Sequence, residues 1–278
     1  KTSIDFSDPS AVKALNQALL KDNYGIRDWD MPANHLCPPV PGRADYLHYL
    51  ADLLKTSNGN KAPKPTHIHV LDIGTGASCI YPLIGASVYR WHFVGTDINA
   101  ASLSNAQAIL DANPQLAAYI SLRHQSSADA IFRNIVALND WFDLCMCNPP
   151  FHASPEAAAE GSRRKWENLG KPVLAETAMP VLNFGGLDAE LWCDGGEQTF
   201  IMRMIKESAQ IPAQCFWFTT LVSKSATLDA IYAGLKQVGV KQQKTITMHQ
   251  GQKQSRLVAW TFLTPAQQAA WGKLRWQT

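Results

Sequence analysis

Apolar and polar positions along the chain follow two different periods. From Asp5 to Leu20, Val12, Leu15, Leu19 and Leu20 make a stripe of helical spacing that predicts a helix with Ser10 as its cap. Pro32, Pro38, Pro39 and Pro41 come next, and prolines so close together predict an extended lead-in. Arg43 is then expected to open a second helix, with Tyr46, Leu47, Leu50, Leu53 and Leu54 on its apolar side. A polar loop from Lys55 to Pro65 closes this part. Residues 1–60 are read as an N-terminal helical extension packed on the remainder of the chain.

From residue 66 the pattern alternates. Apolar runs at His67–Ile73, Trp91–Thr96, Tyr119–Arg123 and Trp141–Cys147 predict strands. Between them lie a helix after Ser78, one over Ala100–Leu110 stopped by Asn113-Pro114, and one over Ala128–Val136. Strands alternating with helices of ten or so residues predict an α/β fold with a parallel, doubly wound, Rossmann-like sheet. After Phe151 the rhythm is lost, and residues 152–194, rich in Gly, Ala and charge, are expected to be a mobile insertion in a domain spanning 61–278. Asp194-Gly195-Gly196-Glu197 fits a capping box for a helix through Ser208. Cys215–Val222 predicts a strand and Leu228–Val238 a helix. Lys241–Met248 and Arg256–Leu263, joined by a short turn, predict a C-terminal antiparallel hairpin, and Thr264-Pro265 a capped terminal helix.

Composition narrows the class. A chain of 278 residues, 46% hydrophobic and 17% charged, can bury a sizeable core. No apolar run approaches the roughly 18 residues of a membrane helix, so no membrane partner is expected. The six cysteines, at 37, 79, 145, 147, 193 and 215, form no C-x-x-C pair. They are read as reduced thiols of a cytoplasmic protein, with no metal site. A net charge of +2 announces no broad nucleic-acid surface, so basic contacts must be local. The chain begins at Lys1 and not Met, which suggests a natural sequence extending further upstream.

Candidate chemistry falls at strand ends. Asp72-Ile73-Gly74-Thr75-Gly76 succeeds the first strand, and such glycines let backbone approach a ligand. A dinucleotide fingerprint would need glycine at 79, where Cys79 stands, which argues against tight pyrophosphate packing. Asp97 ends the second strand, where a doubly wound fold places a ribose acceptor or, more simply, a helix cap. Asn148-Pro149-Pro150-Phe151 ends the fourth. Consecutive prolines stop the strand and hold the backbone rigid. They leave an amide oxygen and free carbonyls to accept from a planar exocyclic amine, and Phe151 to stack on its ring. A ligand with ribose but no pyrophosphate fits this crevice, and S-adenosylmethionine is one.

These motifs resemble a class I S-adenosylmethionine-dependent methyltransferase of the N6-adenine type. The bacterial 23S ribosomal RNA adenine-N6 methyltransferase F family, with its eukaryotic methyltransferase-like relative, is similar over nearly the whole chain. The likeness rests on Leu71–Gly85, Pro38–Tyr46, Asn148–His152, Asn183–Gly186, Trp192–Phe200 and Gly251–Trp260. The resemblance implies cofactor contacts at Arg43, Gly74, Ser78, Asp97 and Asn148, with Ser127 more loosely aligned. Asp72 and Gly76 belong to the same glycine turn. It also implies catalysis by Asn148, Pro149, Pro150 and Phe151 on an adenine of 23S RNA or a large-subunit precursor, by a monomer. Arg163, Arg164 and Lys165, with Lys253 and Arg256 of the hairpin, are candidate phosphate contacts if the strand from Lys241 runs parallel to the central ones. A protein glutamine methyltransferase would also use an Asn-Pro-Pro turn, and a cofactor-sensing RNA-binding module remains an alternative.

Overall fold

The structure, a computed structural model, describes residues 4–277 apart from 6–7, 33–34, 36, 151–192 and 251–252, and only the backbone of 250, 253 and 254. Seven strands form one sheet: β1 (His69–Ile73), β2 (His92–Asp97), β3 (Ile120–His124), β4 (Phe142–Cys147), β5 (Cys215–Val222), β6 (Gln242–Gln250) and β7 (Lys253–Thr261), in the order β3-β2-β1-β4-β5-β7-β6. The first five run parallel, and β7 enters antiparallel between β5 and β6. Being antiparallel to β7 in turn, β6 shares the direction of the central strands, so the last residues of β6 and the first of β7 lie at their carboxyl edge.

Because side chains alternate across a strand, β1 and β4 feed two separate cores. Val70, Leu144 and Met146 face a cluster that includes Leu20 of α1 (Pro9–Tyr24), Leu47 and Leu50 of α2 (Val40–Ser57), Leu83 of α3 (Ile80–Tyr89) and Ile109 of α4 (Ala100–Ala112). Leu71, Cys145 and Cys147 face the other, with Ile201 and Ile205 of α6 (Gly196–Ser208) and Leu235 of α7 (Leu228–Gln237). Pro114 opens a short helix, α5 (Pro114–Ala117), directly after α4. Gly85 lets α3 sit on β2, since a Cβ there would fall 2.3 Å from the Phe93 ring.

The last helix, α8 (Pro265–Trp271), carries the capping box expected at Thr264, closed by Gln267, and passes into a π-helical turn over Gly272–Trp276. Both elements hang on Asp143 at the start of β4. Its buried carboxylate accepts from the indole N–H of Trp271 at 2.7 Å and of Trp276 at 2.8 Å, and from the His69 backbone at 2.8 Å.

Four local expectations are corrected. The cap of α1 is Asp8, which accepts from the Ser10 N–H, so Ser10 is the capped residue. Helix α2 begins at Val40, because Pro41 is tolerated in a first turn. No helix forms over 128–136. A carboxylate oxygen of Glu207 accepts from the backbone N–H of Ile131 and Phe132 at 2.9 Å and of Arg133 at 3.3 Å, meeting donors a helix would have used. Asn134 at φ 69° then reverses the chain. Finally, α6 has no side-chain cap. Gly195 in the left-handed region leads into it, and Glu197 accepts from the Ser223 N–H at 2.7 Å instead of reaching back.

Candidate active site

The register of the parallel strands assembles the site. Ile73 pairs with Thr96 on one side and Cys147 on the other, so Gly74, Asp97 and Asn148 all leave the sheet at its carboxyl edge. At the glycine turn, Gly74 (φ 73°) and Gly76 (φ 65°) hold the left-handed conformation the bend requires. The N–H groups of Gly74 and Thr75 donate to the Thr96 carbonyl, and that of Gly76 to Asp97 Oδ2 at 2.9 Å. Asp97 Oδ1 accepts from the Asn99 N–H at 2.9 Å. The next helix, α4, is capped by Asn99, so Asp97 is not its cap. Burial raises the Asp97 pKa against these bonds. Cys79, where a third glycine would stand, takes φ 49° and enters α3 in a conformation glycine would adopt without strain.

Alternation along β1 turns Asp72 toward α2 and α3, the face of Val70. Its carboxyl group is fully buried, and neither oxygen has a partner in hydrogen-bonding geometry among the described residues. Desolvation pushes its pKa up to about 7, against a weaker downward pull from the nearby Thr75 hydroxyl. Close by is Arg43, whose Nη1 donates to the Tyr81 hydroxyl at 2.9 Å while its buried Nε has no partner among the described residues. With the Asn148 amide turned oxygen-inward, its Oδ1 accepts from Arg43 Nη1 at 3.0 Å and Nη2 at 3.3 Å. The Thr219 hydroxyl donates to the Cys145 carbonyl at 2.8 Å, so Tyr46 must donate to Thr219, also at 2.8 Å. Tyr46 is then free to accept from the Cys147 N–H at 3.4 Å. Helix α2 thus holds both the last residue of β4 and the amide directly after it.

Of the residues singled out in the sequence, Arg43, Asp72, Gly74, Gly76, Asp97 and Asn148 come together at the carboxyl edge of the sheet, and Pro149 is buried directly after Asn148. Ser78 is buried at the entry to α3, its carbonyl accepting from the Trp29 indole N–H at 2.9 Å. Ser127 lies in the turn after β3, its N–H donated to Gln125 Oε1 at 3.0 Å. Pro150 is half-buried. Phe151, Arg163, Arg164 and Lys165, the insertion over 152–194 except its last two residues, and the side chain of Lys253 lie outside the described residues. Arg256 sits in β7 opposite Val222 and Thr247. The supporting roles of Tyr46, Tyr81 and Thr219 went unread in the sequence, where an apolar stripe absorbed the first and a buried strand the last. Arg43 was found through resemblance and not through its bond to Asn148.

This edge offers the buried Asp72 carboxyl and the Arg43 Nε, both without a hydrogen-bond partner among the described residues, with the Asp97 carboxyl and the Asn148 amide beside them. That donor set fits S-adenosylmethionine, whose amino-acid end carries one ammonium and one carboxylate. Comparisons with known proteins agree. Residues 1–264 match a family model described as RNA methyltransferase. A ribosomal RNA large subunit methyltransferase F from Ectopseudomonas mendocina (strain ymp) is 54% identical over 277 residues, 100% of this chain and 83% of the relative. The protein of that name from Yersinia pseudotuberculosis serotype O:1b is 55% identical, covering 99% of this chain and 81% of its own. Among solved structures, the human METTL16 catalytic domain in complex with the MAT2A 3′UTR hairpin 6 superposes with TM-score 0.73 at 30% identity, over 95% of this chain and 85% of the other. The N-terminal domain of human METTL16 in complex with SAH does so with TM-score 0.72 at 28% identity, over 94% and 85%.

Proposed function

The chain belongs to the RNA methyltransferase family that includes the ribosomal RNA large subunit methyltransferases F, and on that premise we propose that it methylates the N6 amine of an adenine in 23S ribosomal RNA. The observation that carries the reading is the Arg43-held Asn148 amide at the mouth of a crevice with an unpaired Asp72. S-adenosylmethionine supplies the electrophilic methyl group. Asp72 and Arg43 Nε are complementary to its ammonium and carboxylate. Asp97 can accept from ribose hydroxyls, since each of its oxygens keeps a lone pair beyond the backbone bonds it already accepts.

An adenine amine is a poor nucleophile because its lone pair is delocalised into the ring. Asn148 Oδ1 would accept one of its hydrogens and the Pro149 carbonyl the other. Two acceptors draw the nitrogen toward tetrahedral geometry and free its lone pair. Arg43 fixes the orientation of the Asn148 amide, and the substrate amine would take the place of one of the two Arg43 N–H groups that Oδ1 accepts. Such catalysis is orientation and electrostatics, with no strong base required. Phe151 would stack on the base, and Arg163, Arg164, Lys165, Lys253 and Arg256 would hold phosphates of the free RNA or a large-subunit precursor. The protein would act as a monomer without a metal.

The test is single-turnover methylation of 23S RNA by the parent and by Asn148→Ala, read as N6-methyladenosine after digestion to nucleosides. Loss of one preorganised group of this kind costs on the order of 10²–10³ in rate. A variant within threefold of the parent, at equal S-adenosylhomocysteine affinity, refutes the assignment. A methylated protein glutamine with unmodified RNA would replace the substrate.

A further inference from the structure

Between α1 and α2 the described residues form a strap bonded to the loop that follows the glycine turn. Besides the Trp29 bond to Ser78, the Asn105 amide donates to both the Asp30 carbonyl, at 3.1 Å, and the Ala77 carbonyl, at 2.8 Å. Gln17 holds the Trp29 carbonyl at 2.9 Å, and Asn16 the Pro38 carbonyl at 2.8 Å. The strap is therefore tied to the loop leading into α3, to α4 and to α1. It carries His35, a residue outside the glycine turn, the Asn-Pro-Pro-Phe turn and the basic segments.

His35 is only 7% exposed, and neither Nδ1 nor Nε2 has a partner among the described residues. It lies within electrostatic reach of Asp97. An imidazole buried without partners is unfavourable unless a ligand supplies them. Asp97 as an anion can only accept. A ribose hydroxyl that donates to it is left with lone pairs needing a donor, and its neighbour with a hydrogen needing an acceptor. A neutral imidazole provides one of each.

We propose that His35 is a cofactor-binding residue, its imidazole hydrogen-bonding the ribose diol that Asp97 receives from the opposite side. The N-terminal strap then contributes directly to the adenosyl site. This rests on the reading that the crevice takes S-adenosylmethionine.

Calorimetry with S-adenosylhomocysteine on the parent, His35→Phe and His35→Gln tests it, with thermal melts as a check on folding. Phenylalanine keeps a ring and removes both polar atoms, and should weaken binding about three- to tenfold, the size of one ordinary hydrogen bond. Glutamine, which can donate and accept, should recover most of the loss. The 2′-deoxy and 3′-deoxy analogues should bind the parent more weakly, yet at least one should lose little further in His35→Phe, because the same bond is removed twice. Equal affinity of parent and His35→Phe, or an unchanged penalty for both analogues, overturns the proposal while leaving the cofactor reading intact. A parent that does not bind S-adenosylhomocysteine takes both down. Should His35→Phe fail to fold, ¹⁵N shifts of the His35 ring in the parent decide: they must move on adding S-adenosylhomocysteine, and unmoved signals refute the contact.

Discussion

Replacing Asp72 by asparagine turns a buried titration into a measurable stability profile. The Asp72 carboxyl is displaced by desolvation from 3.8 to about 7. Between those values the native chain holds a proton that the unfolded chain has lost. Stability must therefore fall as pH rises from about 4 to about 7, and stay level above. At this fully buried site the displacement corresponds to roughly 4 kcal/mol. Asn and neutral Asp have nearly the same shape, so Asp72→Asn should match the parent near pH 3, below the unfolded value of 3.8, and exceed it by up to about 4 kcal/mol at pH 8. Urea unfolding at the two pH values reads this directly. The same group predicts proton release on ligand binding, since a bound ammonium favours the ionised carboxylate. Near pH 6.5, titration of S-adenosylhomocysteine in buffers of differing ionisation enthalpy should show most of one proton leaving the parent and none leaving the variant. A parent and variant with parallel pH profiles would refute the idea that burial keeps Asp72 protonated, and zero proton release would remove the ammonium from its side.

Removing the charges of Arg163, Arg164, Lys165, Lys253 and Arg256 together should flatten the slope of log RNA affinity against log salt by roughly 0.7–0.9 for each phosphate no longer held, with S-adenosylhomocysteine affinity unchanged. Identical slopes for parent and variant would clear these residues of phosphate binding. Asp143→Ala should destabilise the chain by about 3 kcal/mol or more, because the indole donors of Trp271 and Trp276 and the His69 N–H lose their acceptor together. A loss below about 1 kcal/mol in urea unfolding would show that the terminal turn is held by packing alone.

The parallel strands were legible because each is a short apolar run bounded by turn residues, and the alternation of β1 and β4 even placed Cys145 and Cys147 on one face. The site motifs were legible because doubly wound sheets put ligand chemistry at strand carboxyl ends. The features that escaped reading are satisfied over long sequence separations. Ala128–Val136 has helical composition, and Glu207, more than seventy positions away, takes three of its backbone donors. Glu197 sits in a plausible capping sequence but spends an oxygen on Ser223. Asp143 is a single polar residue in a short apolar run, and nothing local in the sequence foretells two tryptophans of the C-terminal turn closing on it.

Strand β4 is clamped at both extremities, by that tryptophan clasp at its first residues and by Tyr46 and Arg43 at its last, with every residue between them buried. The amide proposed to receive the substrate amine is thus mounted on the beam that the chain's two ends grip. Loosening either end means disrupting the core that surrounds it. Asn148 then belongs to the most cooperative part of the molecule and not to its fraying margin. Heat inactivation and global unfolding would become the same event.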